Sequence, residues 1–334
     1  MWGKPLFLLP AFSLGLGYAS AQDLDRLAWS DPACFELNRT VTALASNGRF
    51  EEAEATLKVG MSRSASNPAD WCVGVILGNL AVVVITATGR MDEAESLAKR
   101  SVDTLERIYP KDDPLLLRPL QVLMAARFEQ GKLARAREAY RKMQSIRIER
   151  PQDRALVRGL AGVLLQREGR RKEGETEYLG ALRAWEEAGR GDSVDAASIL
   201  NNLGSLYIEE KRFDQARQVL DRAQVIFAVV KDVVPLDRIK LATIQGSLCA
   251  RLSQWPEAES YFRDAISIAG QEVRLDASIQ AEVLTNYAMA LRKNHRRREA
   301  ESFEARATAL QPHSTAKGIV DVTELPARPK SPKK

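Results

Sequence analysis

The sequence predicts an all-α fold, a solenoid of about seven antiparallel helix pairs, and three observations carry that prediction. The first is composition. Of 334 residues 45% are hydrophobic and only 6% aromatic, and the abundance of Ala, Leu, Arg and Glu favours helix over sheet. The second is a recurring pattern: a turn residue, a basic residue, an apolar or mixed position, then acid-rich residues around a small one. The third is its period. The small residue falls at Ala53, Ala94, Ala136, Gly174, Ala216, Ala258 and Ala300, with successive spacings of 41, 42, 38, 42, 42 and 42.

In chain order, residues 1–21 come first and read as a cleaved signal peptide. Lys4 and the amino terminus supply the positive start, Pro5 to Leu16 the apolar run, and Ala19-Ser20-Ala21 the small-residue cleavage pattern before Gln22. The run is shorter than the roughly 20 residues that span a bilayer and contains Pro10 and Gly15, which argues against a retained anchor. No integral membrane segment is expected after cleavage. The expected location is therefore outside the cytoplasm, periplasmic or secreted.

Residues 22–310 hold the solenoid. The clearest copies of the pattern are Gly48-Arg49-Phe50-Glu51-Glu52-Ala53-Glu54 and Gly89-Arg90-Met91-Asp92-Glu93-Ala94-Glu95. Each turn is flanked by helices with apolar residues at three- and four-residue intervals. In the fifth unit these are Ile199, Leu200, Leu203, Leu206 and Tyr207, then Phe213, Ala216, Val219, Leu220 and Ala223. Small residues such as Gly204 and Ala216 let the paired axes approach. One hairpin cannot bury its whole apolar stripe, so the units stack, with an open inner wall expected. The fourth unit departs from the rest: it is four residues short and has Gly174 in place of Ala.

Residues 311–334 contain prolines and lysines with little apolar content and are expected to be a mostly disordered basic tail. Export would permit disulfides. Cys34 and Cys72 fall near the starts of adjacent first helices, which leaves two readings open, a bonded pair or two separately buried thiols. Cys249 takes an inward position and reads as a core hydrophobe, and Trp185 and Trp255 read as core near repeat junctions.

These units resemble the tetratricopeptide repeat, in particular the 42-residue variety of kinesin light chains. Leu200-Asn201-Asn202-Leu203-Gly204-Ser205-Leu206-Tyr207 followed by Lys211-Arg212-Phe213-Asp214-Gln215-Ala216 is the fullest copy. The resemblance covers about residues 31 to 310. It implies a right-handed superhelix whose concave groove, lined by first helices, binds a peptide or protein partner. It also implies that groove asparagines grip a peptide main chain, since an amide can donate and accept at once. Asn79, Asn202 and Asn286 take that position, with Ser205 and Lys240 as further groove residues. The alternative is that they are polar surface residues or backbone caps. The Lys with Asn or Arg pattern of the carboxylate clamp found in chaperone-binding relatives is absent.

A net charge of +5, from 49 basic and 44 acidic side chains, reads as a solvated mixed surface rather than a nucleic-acid-binding one. Arg170-Arg171-Lys172 and Arg296-Arg297-Arg298 fit such a surface. The only histidines, His295 and His313, lack a neighbouring acid or cysteine cluster. Neither a metal site nor a Ser-His or Cys-His nucleophile is assigned, and no cofactor is expected. The favoured reading is a non-enzymatic interaction scaffold. A structural or self-associating component of an envelope complex is one alternative. An intracellular peptide-sensing regulator is another, opposed by the export signal and the lack of a DNA-binding module.

Overall fold

A computed structural model describes residues 32–46, 49–64, 71–88, 90–230, 233, 235–271 and 277–310. The expected signal peptide and basic tail lie outside the described residues. Among those residues the chain is a right-handed superhelical solenoid of seven helix pairs with no strand. Repeat one is α1 (Pro32–Ser46) with α2 (Phe50–Ser64), and repeat two is α3 (Trp71–Thr88) with α4 (Met91–Leu105). A 3₁₀ turn (Pro114–Leu116) leads into repeat three, α5 (Leu117–Glu129) and α6 (Leu133–Gln144). Repeat four is α7 (Pro151–Arg167) and α8 (Arg171–Glu187); repeat five is α9 (Val194–Glu209) and α10 (Phe213–Val229). Repeat six is α11 (Pro235–Arg251) and α12 (Trp255–Gln271); repeat seven is α13 (Ala277–Lys293) and α14 (Arg297–Leu310).

Each first helix packs on its own second helix, and each second helix packs on the next repeat in chain order. First helices of neighbouring repeats also pack on one another, least of all α5 against α7, where the short spacing falls. No helix among the described residues is long and apolar enough to cross a membrane.

The small residue that sets the period is buried in every repeat because it lies where two helix axes cross. The fourth repeat shows why it departs from Ala. A Cβ added to Gly174 would lie 3.2 Å from the Gly162 carbonyl oxygen, and one added to Gly162 would lie 2.5 Å from the Tyr178 ring. This pair of helices approaches closely enough to exclude both methyl groups. Tyr178 fills the space so gained, and its buried hydroxyl donates to Gln166 Oε1 at 3.0 Å.

Five of the intra-hairpin turns place a residue in the left-handed region: Gly131, Gly169, Lys211 (φ 61°), Ser253 (φ 59°) and His295 (φ 59°). The next residue's N–H then bonds back five residues, as in Arg212 N to Tyr207 O at 2.8 Å and Gln254 N to Cys249 O at 2.9 Å. That closes the carbonyls at the end of the first helix.

The recurring charges are staples between repeats. Arg212, which follows the fifth turn, donates to Glu175 of α8 at 2.7 Å, and Arg296 donates to Glu259 of α12 at 2.5 Å. Lys132 reaches Glu95 at 2.8 Å and Arg90 reaches Glu54 at 3.2 Å in the same way. Arg90, Arg170 and Arg296 also pair with the glutamate three residues on. Exposed pairs of this kind are each worth about 0–1 kcal/mol, so their repetition fixes register more than it adds stability.

At the amino-terminal end Cys34 of α1 and Cys72 of α3 form a disulfide, with an S–S distance of 2.00 Å and Cα atoms 5.9 Å apart. The bond ties repeat one to repeat two. Cys249 is a buried free thiol, and burial raises its pKa, as suits a core position. Trp185 is buried in α8 with Arg190 over its ring, and Trp255 packs partly buried beside Cys249 and Phe262.

Candidate functional site

The repeat period stacks equivalent residues of α9, α11 and α13 into rows. Ser198, Lys240 and Glu282 form one row, and Asn202, Ile244 and Asn286 form a second one helical turn along the same face. Asp195 and Asp237 form a third row at the starts of α9 and α11.

The inner wall is enclosed rather than open. Asn79, Asn202, Asn286, Ser205 and Lys240 are each under one-tenth exposed, and α9 is buried from Ala196 to Ile208. Curvature accounts for part of this. Glu129, at the end of α5, acts electrostatically on Lys240 and on Glu282, three and four repeats further along the chain. The charge at the end of repeat three is thus within electrostatic reach of the inner faces of repeats six and seven.

The three asparagines at one repeat position fare differently. Asn79 Nδ2 donates to Oδ1 of Asn38, its counterpart in repeat one, so this amide is used inside the fold. Asn286 Nδ2 donates to the Glu282 carbonyl of its own helix at 3.1 Å. Asn202 keeps a buried Nδ2 with no hydrogen-bond partner, and its neighbour Asn201 keeps both amide atoms without one. The hydroxyls of Ser198, Thr243 and Thr285 bond back to their own helices. On α9 and α11 the amides of Asn201 and Asn202 and the carboxylate of Asp237 thus hold unmet hydrogen-bonding capacity.

Lys240 lies among carboxylates. Burial lowers its pKa, while Asp237, Glu129 and Glu282 act to raise it. Asp237 is fully buried with neither carboxylate oxygen hydrogen-bonded, and burial pushes it up to about 7, opposed by Lys240 and assisted by Asp195. Glu282 is pushed up to about 8, first by burial and then by the like charge of Glu129, against the pull of Arg167 and Lys240. Leaving a buried carboxylate without donors costs several kcal/mol, so the protonated form persists to neutral pH.

Of the residues read from sequence, the structure brings Asn202, Lys240 and Asn286 together on consecutive repeats with Ser205 beside Asn202. It leaves Asn79 at the other end of the solenoid. Sequence reading missed Asp237, Glu282, Glu129, Arg167, Asn201 and Asn38. Aligning the repeats would have stacked Asp237 on Asp195 and Glu282 on Lys240. Nothing in the sequence places Glu129 opposite them.

Residues 73–115 and 153–226 match family models of the tetratricopeptide repeat. Comparison with curated proteins gives no match. Among solved structures, NprR in complex with its cognate peptide NprX is similar, with TM-score 0.61 and 13% identity over 90% of this chain and 87% of the other. The apo form of RapI gives 0.60 and 11% over 83% and 97%. The apo form of the quorum sensor NprR from B. thuringiensis gives 0.57 and 12% over 86% and 81%. At these identities the likeness concerns the fold. Seven stacked hairpins, a 42-residue period and two matches to the repeat's own models show that this chain carries tetratricopeptide repeats, matched over residues 73–115 and 153–226.

Proposed function

We propose that this protein is an exported, non-catalytic scaffold that holds an extended peptide or protein segment in the channel formed by α9, α11 and α13. The observation that carries the reading is the buried, unmet hydrogen-bonding capacity of Asn201, Asn202 and Asp237 on one wall. Such groups are rare in folded proteins, and a peptide backbone offers both the acceptor and the donor that an asparagine amide needs. The similarity to NprR, whose structure holds its cognate peptide, supports this use of the fold. Export is supported by the amino-terminal sequence and by the Cys34–Cys72 bond, which an oxidising compartment would sustain.

Crosslinking in the native host, followed by identification of what is captured, tests the reading. A partner captured by the wild-type chain and lost with Asn202→Ala supports it; capture unaffected by the substitution counts against the channel. Amino-terminal sequencing of the native protein tests export, with Gln22 expected as the first residue.

A second reading, self-association, is favoured by Val225 and Val229, which lie one turn apart on α10 at 65% and 72% exposed. Light scattering on the purified chain separates the two, since a monodisperse monomer excludes it.

A further inference from the structure

Where repeat five meets repeat six the interior changes character. Among the described residues, buried polar side chains gather on α9 and α11 more than on any other pair of neighbouring first helices. The hydrophobic core also divides here. Val233, Leu241 and Ile244 belong to the core that runs back to α1, whereas Leu236 and Ile239 pack with Ala265 of α12 and Ile279 of α13. Asp237 stands in the chain between Val233 and Ile239, in the first turn of α11. It is fully buried, and neither carboxylate oxygen is hydrogen-bonded.

Joints that bury polar surface part more readily than apolar ones. A carboxyl in such a joint controls its closure through a proton. The neutral acid is tolerated inside, while the anion without donors is costly to keep from water. The positive end of the α11 dipole favours the anion, by less than burial disfavours it. The charges that act on Asp237 are Lys240 of its own helix and Asp195 of α9, the latter flanked by Arg190 at 3.4 Å. Lys240 also feels Glu129 of α5 and Glu282 of α13. Among the described residues α10 and α12 add no charge that acts on Asp237.

We propose that the joint between repeats five and six is a pH-released latch: protonated Asp237 seats α11 against α9, and its ionisation opens the joint and bares Asn201 and Asn202. These two amides are 2% and 8% exposed, so a ligand reaches them only when something parts. The latch itself follows from a buried carboxyl without partners at a divided core. Its use in admitting a ligand rests on the peptide-binding reading above.

Burial, assisted by Asp195 and opposed by Lys240, pushes Asp237 up to about 7. The closed joint therefore holds the proton more tightly than the open one. Closure is favoured in full below the ordinary carboxylate range and is lost as pH rises through about 7. The open-to-closed ratio should rise about tenfold between about pH 6 and 8.5.

Double electron–electron resonance on the full-length protein reads the joint. Spin labels go on Arg183→Cys of α8 and Glu301→Cys of α14, both exposed, in a Cys249→Ala background. A longer-distance population should gain about tenfold on the shorter one over that pH range. Labels on Lys99→Cys of α4 and Arg183→Cys, both before the joint, should keep one distance. Asp237→Asn, close in shape and always neutral, should hold the closed distance throughout, with helix content checked by circular dichroism. Asp237→Ser serves the same comparison if the asparagine variant does not fold. Distances that ignore pH with Asp237 present would overturn the latch, as would a pH-driven opening that persists without it. Opening with no partner captured by crosslinking would keep the latch and remove the peptide reading. Capture that depends on Asn202, with no opening, would do the reverse.

Discussion

Repeats one and two and repeats five to seven are built on the same hairpin, yet they treat their inner faces in opposite ways. In the first region Asn38 and Asn79 satisfy each other, a disulfide ties α1 to α3, and Val82–Ile85 are buried along α3. In the second region the same row carries Asn202 with an open valence, and the row beside it carries Lys240 and Glu282 among like and unlike charges. One end is finished as structure. The other retains groups that the fold alone does not satisfy, and such groups mark function.

The contrast can be broken from the amino-terminal side first. Reducing Cys34–Cys72 releases a loop of 38 residues and is expected to cost about 4 kcal/mol of local stability. Hydrogen exchange should then rise across residues 32–64 and leave 194–310 unchanged. Next, Asn79→Ala strands the Asn38 amide in a buried site and should cost about 1–3 kcal/mol, read as a lower denaturant midpoint.

The pH dependence separates the regions by sign. Asp237 and Glu282 are raised, so the folded state binds more protons than the unfolded one between about pH 4 and 8. Their contribution is fully present below the ordinary carboxylate range and is lost as pH rises through about 7 and 8. Glu52 and Glu54 of α2 are held low by their pairings with Arg49, Lys58 and Arg90, Glu54 against its own burial, and lose stability only in acid. Melting temperature should therefore fall from pH 5 to pH 8, and Glu282→Gln should flatten that slope. A flat wild-type profile would contradict the burial of these two carboxyls.

Smaller effects sharpen the picture. Ser253→Gly should stabilise by about 0.5–1 kcal/mol, because glycine adopts the left-handed turn without a Cβ penalty. Asn202→Ala should change stability by no more than about 0.5 kcal/mol, the range of a substitution that breaks no satisfied contact. Its effect belongs to ligand binding. A large loss of stability would instead make Asn202 a structural residue like Asn79.

The fold was legible because the period is enforced by sterics. Only a small residue fits where the two axes of a hairpin cross, so the spacing of Ala53 through Ala300 reports the architecture directly. The proximity of Cys34 and Cys72 followed from the same frame, although whether they are bonded did not. The enclosure of the inner wall was not legible. It depends on curvature, which accumulates from small rotations at each joint and is altered where the spacing shortens between Ala136 and Gly174, in the 12-residue α6. For that reason Lys240 was read as lining an open groove, when it lies buried among Asp237, Glu129 and Glu282. The staples between Arg212 and Glu175, or Arg296 and Glu259, were visible as a motif, but which partner each charge meets needed the stacking.

The thin contact between α5 and α7 has a mechanical consequence. Glu129 stands on one side of that seam, and Lys240 and Glu282 stand on the other. Arg167 stands over the Phe128 ring at 4.8 Å across it, and Arg137 of α6 pairs with Glu168 just beyond α7. The shortening lies in the second helix of repeat three, since α6 has 12 residues while α7 and α8 have 17 each, so this joint sets how far the later first helices turn relative to the earlier ones.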